Sequence, residues 1–214
     1  MIKRALDVLV SAVGLALLSP LFAIVAVLVK LDSSGPVFFR QERIGRRFRP
    51  FAIYKFRTMA DAPAGRRIAL GDDSRVTRMG RLLRRAKIDE LPQLVNVLGG
   101  DMSLVGPRPE VRQFVDLFRD DYAEILEARP GMTDLASIKY RDEAALLAGS
   151  ADPEAEYVRR ILPDKIRLAR EYVRRSSVAF DLALIAKTLW HLGARSSDGE
   201  RAPSRRATRA NTPQ

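Results

Sequence analysis

Residues 8–29 read VLVSAVGLALLSPLFAIVAVLV, an uncharged run that begins almost at the start of the chain. At 1.5 Å per residue this run would make a helix of roughly 33 Å, enough to match the hydrocarbon core of a bilayer. It is apolar on every face, whereas a helix laid on a soluble core keeps a polar side. The run is too long for a signal peptide, and no small-residue cleavage site follows it. Ser19-Pro20 interrupts it near the middle. Pro20 has no N–H to offer the carbonyl of Ala16 and its ring clashes there, so the pattern predicts a kink, with a Ser hydroxyl at hand for the freed backbone. A kinked span and a re-entrant hairpin, entering and leaving by one face, both satisfy the pattern; basic residues on both flanks favour the hairpin.

Beyond residue 32 the period changes. Residues 36–41 and 48–59 alternate as two short strands with a turn at residues 43–46, a small β-hairpin. Residues 60–73 carry Gly, Pro, Ala and Asp without period and read as a mobile loop. Helical patterns follow at 77–87, with Thr77 as cap, and at 90–98, closed by Gly99-Gly100. Residues 101–109 read as a rigid loop, and 110–129 as a helix stopped by Pro130-Gly131. A helical patch covers 143–148, and two helices broken at Pro163 cover 154–176. Residues 180–192 are amphipathic, fitted for the core or for a membrane surface. From residue 195 the chain is Ser, Arg, Ala, Pro and Thr, a disordered composition. The expected fold is α+β, mainly α: a membrane-anchoring helix (1–32), a compact helical domain with amphipathic interfacial helices (33–193), and a basic tail (194–214).

Composition narrows the chemistry. The formal net charge is +11 and the pI about 10.5, so natural partners are anions. There is no Cys and a single histidine, His191. Thiolate metal sites and disulfides are excluded, and His-based zinc sites or a Ser-His-Asp triad are disfavoured. Catalysis would rest on carboxylates, Lys and Arg. Lys3 and Arg4 precede the apolar run, while Lys30, Arg40, Arg43, Arg46 and Arg47 follow it. That asymmetry places the bulk of the chain in the cytoplasm.

The most telling short segment is Arg84-Arg85-Ala86-Lys87-Ile88-Asp89-Glu90-Leu91-Pro92-Gln93. It sets two adjacent carboxylates behind a cationic run, at the predicted first turn of a helix, with Asp89 as N-cap. An ionised carboxylate among cations can bind a metal or attack an electrophile that the cations have drawn in. A capped helix with a surface pair such as Arg85–Asp89 is the plainer reading of those ten residues alone.

Further motifs decide between them. Taken with Ser19-Pro20, Tyr54-Lys55-Phe56-Arg57-Thr58-Met59, Asp89-Glu90-Leu91-Pro92-Gln93 and Gly100-Asp101-Met102-Ser103-Leu104-Val105-Gly106-Pro107-Arg108-Pro109, the chain resembles the bacterial sugar transferase family, the monotopic phosphoglycosyl transferases. The resemblance implies transfer of a sugar 1-phosphate from a UDP-sugar to a polyprenol (undecaprenyl) phosphate, with Mg²⁺, at the cytoplasmic face of the bacterial inner membrane. It implies Asp89 as nucleophile through a covalent phosphosugar, Glu90 as metal ligand or proton acceptor, and Asp89 and Glu90 as the metal-binding carboxylates. Lys55, Arg84 and Arg108 are the cations expected around the diphosphate, and Ser19 and Pro20 the break of the membrane helix. A homodimer is left open and no nucleic-acid partner is expected. Asp134-Leu135-Ala136-Ser137 stands where the family pattern has Gly-Trp-Ala-Gln, and Ala169 where it has Asp. The competing reading is a membrane-tethered basic protein that holds nucleic acid or anionic lipid without catalysis.

Overall fold

The computed structural model describes residues 1–60 and 73–198. The predicted loop at 60–73 falls almost wholly outside them, as do residues 199–214 of the predicted tail. Residues 195–198, expected to be disordered, instead continue the last helix, since Ala194 and Arg195 are good helix formers and no Gly or Pro intervenes before Asp198.

α1 (Ile2–Asp32) is a single helix through Pro20, and among the described residues it alone is long and apolar enough to cross a membrane. The Ser19 hydroxyl donates to the carbonyl of Ala16, 2.8 Å away, which is the acceptor that Pro20 leaves free. Asp7, Ser11, Val25 and Val29 are buried against the rest of the chain, while Leu9, Val13, Leu17, Ile24, Val27 and Leu31 are exposed. With half-buried Gly14, Leu18 and Leu21 between them, these positions recur every three to four residues, so one stripe of α1 packs on protein and the other faces stay bare and apolar.

Both ends of α1 are fastened to the same domain. At the start, Arg4 donates to the carbonyls of Val97 and Leu98, at 2.6 and 2.9 Å. Asp7, only 4% exposed, accepts from Ser103 Oγ and from the N–H of Leu104. Lys3 pairs with Asp181 and donates to Val105 O at 2.9 Å. At the far end Arg57 donates to Ser33 O at 2.6 Å, and Val25 and Val29 join Phe56 and Leu83 in one apolar cluster.

β1 (Phe38–Ile44) and β2 (Pro50–Phe56) form the expected antiparallel hairpin, with Phe39 opposite Lys55. The turn lies later than predicted. Arg43 and Ile44 remain in the strand, and Gly45–Arg49 make the reversal, with Arg47 and Phe48 both at positive φ. The pattern misled because Arg43 reads as a turn residue, yet its guanidinium is paired with Glu110 at 3.0 Å. Asn96 covers the free edge of β2, accepting from Tyr54 N and donating to Ala52 O.

α2 (Arg78–Ala86) starts at Thr77, whose hydroxyl accepts from the N–H of Gly80. A 3₁₀ turn (Ile88–Gln93) leads into α3 (Leu94–Gly99), which ends at Gly100 with φ 94°. The predicted rigid loop contains β3 (Ser103–Val105), paired in parallel with β4 (Gly131–Thr133). The long helix predicted over 110–129 is two, α4 (Arg112–Leu117) and α5 (Arg119–Ile125), broken at Phe118, whose backbone leaves the helical region. Then come α6 (Leu135–Lys139), α7 (Glu143–Ala148) and α8 (Pro153–Glu156). A π-helical turn (Tyr157–Ile161) joins α8 to α9 (Leu162–Arg175), where Pro163 occupies the first turn and needs no donor. α10 (Val178–Asp198) buries Leu184 and exposes Leu182, Leu189 and Trp190. The main core gathers Phe114, Tyr122, Ile125, Tyr157, Ile161 and Leu162 from these helices.

Candidate active site

Asp89 and Glu90 stand on the 3₁₀ turn, and Asp89 is not its cap. Lys87 is, with a left-handed backbone (φ 59°) that closes α2 and starts the turn within one residue. No extended cap position is left for Asp89, so its carboxylate is free to face the cleft. It is 8% exposed, and its Oδ1 has no hydrogen-bond partner. A buried, unpartnered carboxylate oxygen is costly and calls for an explanation. Burial raises the pKa of Asp89, the charge of Glu90 adds to the rise, and Lys55, Lys87 and Arg84 oppose it.

Glu90 is the opposite case. Its Oε1 accepts from Lys55 Nζ at 2.7 Å, and both oxygens face the Arg108 guanidinium. Burial works to raise its pKa, but Arg108 and Lys55 together outweigh burial and hold it well below the usual carboxylate range. Glu90 in turn raises the pKa of Arg108. In Lys55 burial prevails over Glu90 and lowers the pKa of the ammonium. Two adjacent carboxylates are thus divided: Glu90 is an ion-paired, fixed anion, and Asp89 is a carboxyl whose ionised form is disfavoured by burial and by Glu90.

Each cation comes from a different element. Lys55 projects from β2 and Arg84 from the last turn of α2, its Nε donating to Thr58 Oγ1 at 2.8 Å. Arg108 lies between Pro107 and Pro109. That loop is held at its start by a close crossing of two glycines: a Cβ on Gly131 would sit 2.0 Å from Gly106 N. It is held further on by Asp134, whose Oδ2 accepts from the N–H of Arg108 at 3.1 Å. Asp134 also caps α6 through Ser137 N, so the departure from the family pattern noted at 134–137 supports the loop that carries Arg108.

These groups share a cleft of about 1350 Å³. One end is lined by Val37, Phe38 and Phe56 beside the end of α1, the other by Ser137, Tyr140, Tyr157 and Lys165. Lys55, Arg84, Asp89, Glu90 and Arg108 all line it, whereas Ser19 and Pro20 lie on the exposed side of α1. Lys87 and Thr58 line it too and were not singled out from the sequence as site residues. Lys87 closes the cationic run before the dyad and Thr58 follows Lys55 by three residues, so both sat inside motifs already noticed.

Among the described residues no group of three or more His, Cys, Asp or Glu side chains could hold a metal. Asp89 Oδ1 is the open oxygen donor, while the Glu90 oxygens are engaged by Arg108 and Lys55. One protein carboxylate supplemented by phosphate oxygens and water suits Mg²⁺, which keeps several waters and seldom takes an all-protein cage.

The profile of a family described as bacterial sugar transferase matches residues 1–195. The chain belongs to the bacterial sugar transferase family. The chain is 42% identical over 195 residues to the UDP-N-acetylgalactosamine-undecaprenyl-phosphate N-acetylgalactosaminephosphotransferase of Aeromonas hydrophila, covering 88% of this chain and 43% of that protein. It is 42% identical over 193 residues to the UDP-glucose:undecaprenyl-phosphate glucose-1-phosphate transferase of Caulobacter vibrioides, covering 87% and 68%. It is also 36% identical over 206 residues to an exopolysaccharide production protein of Rhizobium meliloti, covering 88% and 84%. The chain thus spans less than half of the Aeromonas relative and about two thirds of the Caulobacter one.

Proposed function

We propose that this sugar transferase moves a sugar 1-phosphate from a UDP-sugar to undecaprenyl phosphate, the first membrane step of a polysaccharide or other glycoconjugate. The observation that carries the reading is Asp89, a buried carboxylate with an unpartnered oxygen in a cation-lined cleft that opens beside the apolar helix α1. The printed activities of the Aeromonas and Caulobacter relatives support the same donor class and acceptor.

The Asp89 oxygen attacks the phosphorus that bears the sugar. The bond from that phosphorus to the bridging oxygen breaks, and uridine monophosphate leaves with the electron pair. The phosphosugar stays on Asp89 as an acyl phosphate until a phosphate oxygen of the polyprenol attacks the same phosphorus and releases the carboxylate. Splitting one displacement between two bulky anions into two steps eases each of them. Arg108, Arg84 and Lys55 neutralise the diphosphate, which is the main task in phosphoryl transfer. Glu90 holds Lys55 and Arg108 in place and favours their charged forms. Mg²⁺ held beside Asp89 would supply further charge neutralisation at the phosphates.

The fastening of both ends of α1 to one domain supports a topology in which both ends lie on the domain's side of the membrane, the cytoplasmic face of the inner membrane. The lipid phosphate would then meet Asp89 at headgroup depth, beside exposed Phe38 and Phe39. The test is intact mass of lipid-embedded protein incubated with Mg²⁺ and UDP-glucose or UDP-N-acetylgalactosamine, followed by polyprenol phosphate. A phosphosugar adduct that acceptor removes, with release of uridine monophosphate, is expected. Failure of both donors to give either adduct or nucleotide release would refute the reading.

A further inference from the structure

The end of the cleft remote from α1 carries a cluster of side chains that the proposed chemistry does not use. Glu110 accepts from Arg43 Nη1 at 3.0 Å, from the N–H of Val111 at 3.1 Å, and from Tyr157 OH at 2.8 Å. Lys165 pairs with Glu143 and donates to Tyr157 OH at 3.3 Å. These five side chains come from β1, the loop after Pro109, α7, the π-helical turn and α9, and all five line the cleft.

We propose that this cluster, resting on the function proposed above, is the subsite that recognises the sugar of the nucleotide donor. Position is the first argument. Pro109 restricts Arg108 to extended backbone, and two residues of extended chain span roughly 6–7 Å. The backbone of Glu110 therefore stands about one hexose ring along the chain from that of Arg108, the cation assigned to the diphosphate, and both side chains line the cleft. Charge is the second. Within these five side chains Arg43 and Lys165 balance Glu110 and Glu143, in contrast to the surplus of cations around Asp89, while Arg112 and Arg141 stand elsewhere on the lining of the cleft. A neutral array of donors and acceptors suits a polyhydroxyl group and gives a phosphate no advantage.

Unused capacity is the third argument. A carboxylate accepts about four hydrogen bonds, and three to Glu110 are accounted for. The ammonium of Lys165 has three donors, two of them directed at Glu143 and Tyr157. Shape is the fourth. Lys165 Nζ lies 4.8 Å from the centroid of the Tyr157 ring, and the Phe114 ring packs on Tyr157 at 5.0 Å. With both neighbours in place, Tyr157 presents no open face for a base to stack on, and its hydroxyl serves to hold Glu110 and Lys165. Tyr157 also opens the π-helical turn, a distortion that recurs at functional sites.

The experiment uses full-length protein in lipid, with Glu110→Gln and Tyr157→Phe beside wild type. It measures kcat/KM for UDP-glucose and UDP-N-acetylgalactosamine, and the inhibition constant of UDP, which lacks the sugar. A hydrogen bond to a charged group is worth enough that kcat/KM for the accepted donor should fall about 10–100-fold, and the preference between the two donors should shift. The inhibition constant of UDP should move less than about twofold, because UDP makes no use of the subsite. Tyr157→Phe removes a single oxygen and keeps the ring packed on Phe114, and thermal melting confirms that both variants are folded. A parallel weakening of UDP would assign the cluster to the nucleotide half and overturn the proposal. Folded variants with unchanged kcat/KM and unchanged preference would make the cluster structural only, which also overturns it. Wild type inactive on both donors would instead remove the proposed function, and the subsite with it.

Discussion

Ionised Asp89 has one oxygen unpartnered and a second carboxylate as its sequence neighbour, so the folded chain binds a proton at Asp89 more tightly than the unfolded chain does. Its raised pKa gives stability that is complete below the ordinary value of 3.8 and is lost as pH rises through the folded value. At neutral pH the ionised group therefore weakens the fold. Asp89→Asn should raise the melting temperature by about 2–4 °C, the shift that roughly 1 kcal/mol gives in a chain of this size, while abolishing nucleotide release. A lower melting temperature, or nucleotide release that survives the substitution, would contradict the assignment. Because the proposed nucleophile must be ionised, kcat/KM of the wild type should fall on the acid side at a pH above the usual aspartate range, and Lys55→Met, which removes a cation opposing that rise, should move the fall still higher. Glu90 has the opposite sign. Its lowered pKa gives stability present above the ordinary value of 4.5 and lost as pH falls through the folded value. Glu90→Gln strands Lys55 and Arg108 and should cost about 3 kcal/mol at neutral pH, seen as an earlier denaturant midpoint. These two fates were not legible in the sequence, where Asp89 and Glu90 are equivalent neighbours. They separate only because Lys55 and Arg108, from distant parts of the chain, both turn to Glu90.

Local elements with their own start and stop signals were the readable ones. Thr77 caps α2 as expected, Gly100 closes α3, and the patch at 143–148 is α7. The missed elements depend on partners far along the chain. β3 and β4 are three residues each and have no periodic pattern; they exist because Ser103 pairs with Gly131 and Val105 with Thr133. Arg43 looked like a turn until Glu110 claimed it, and Asp134 looked like a departure until it was found holding the Arg108 N–H. The crossing of Gly106 and Gly131 is the most exacting of these pairings, since neither position has room for a methyl group. Gly131→Ala should force the two segments apart, cost about 3 kcal/mol by overpacking, and lower donor kcat/KM as Arg108 shifts. Urea unfolding and steady-state assays on one preparation would show whether the two losses travel together.

For the molecule as a whole, the anchor was evident from composition, but its attachment was not. Lys3 and Arg4 read as a flanking charge signal, and in the fold they and Asp7 bind Asp181, the end of α3 and the start of β3. An introduced Ile2→Cys, in a chain that has no other cysteine and at a position 71% exposed, makes the topology measurable. A membrane-impermeant maleimide should label it in inverted vesicles and leave it unlabelled in intact cells; labelling from outside would refute the one-sided arrangement. The bare apolar faces of α1 beside a domain gripped at both its ends have a kinetic consequence. A protein held in that way does not search a volume for its lipid acceptor but a sheet, and meets it at a rate set by crowding within that sheet. Diluting the acceptor with inert lipid at constant total acceptor should therefore slow turnover, whereas adding buffer to the same vesicles, with the nucleotide sugar kept saturating, should leave it unchanged.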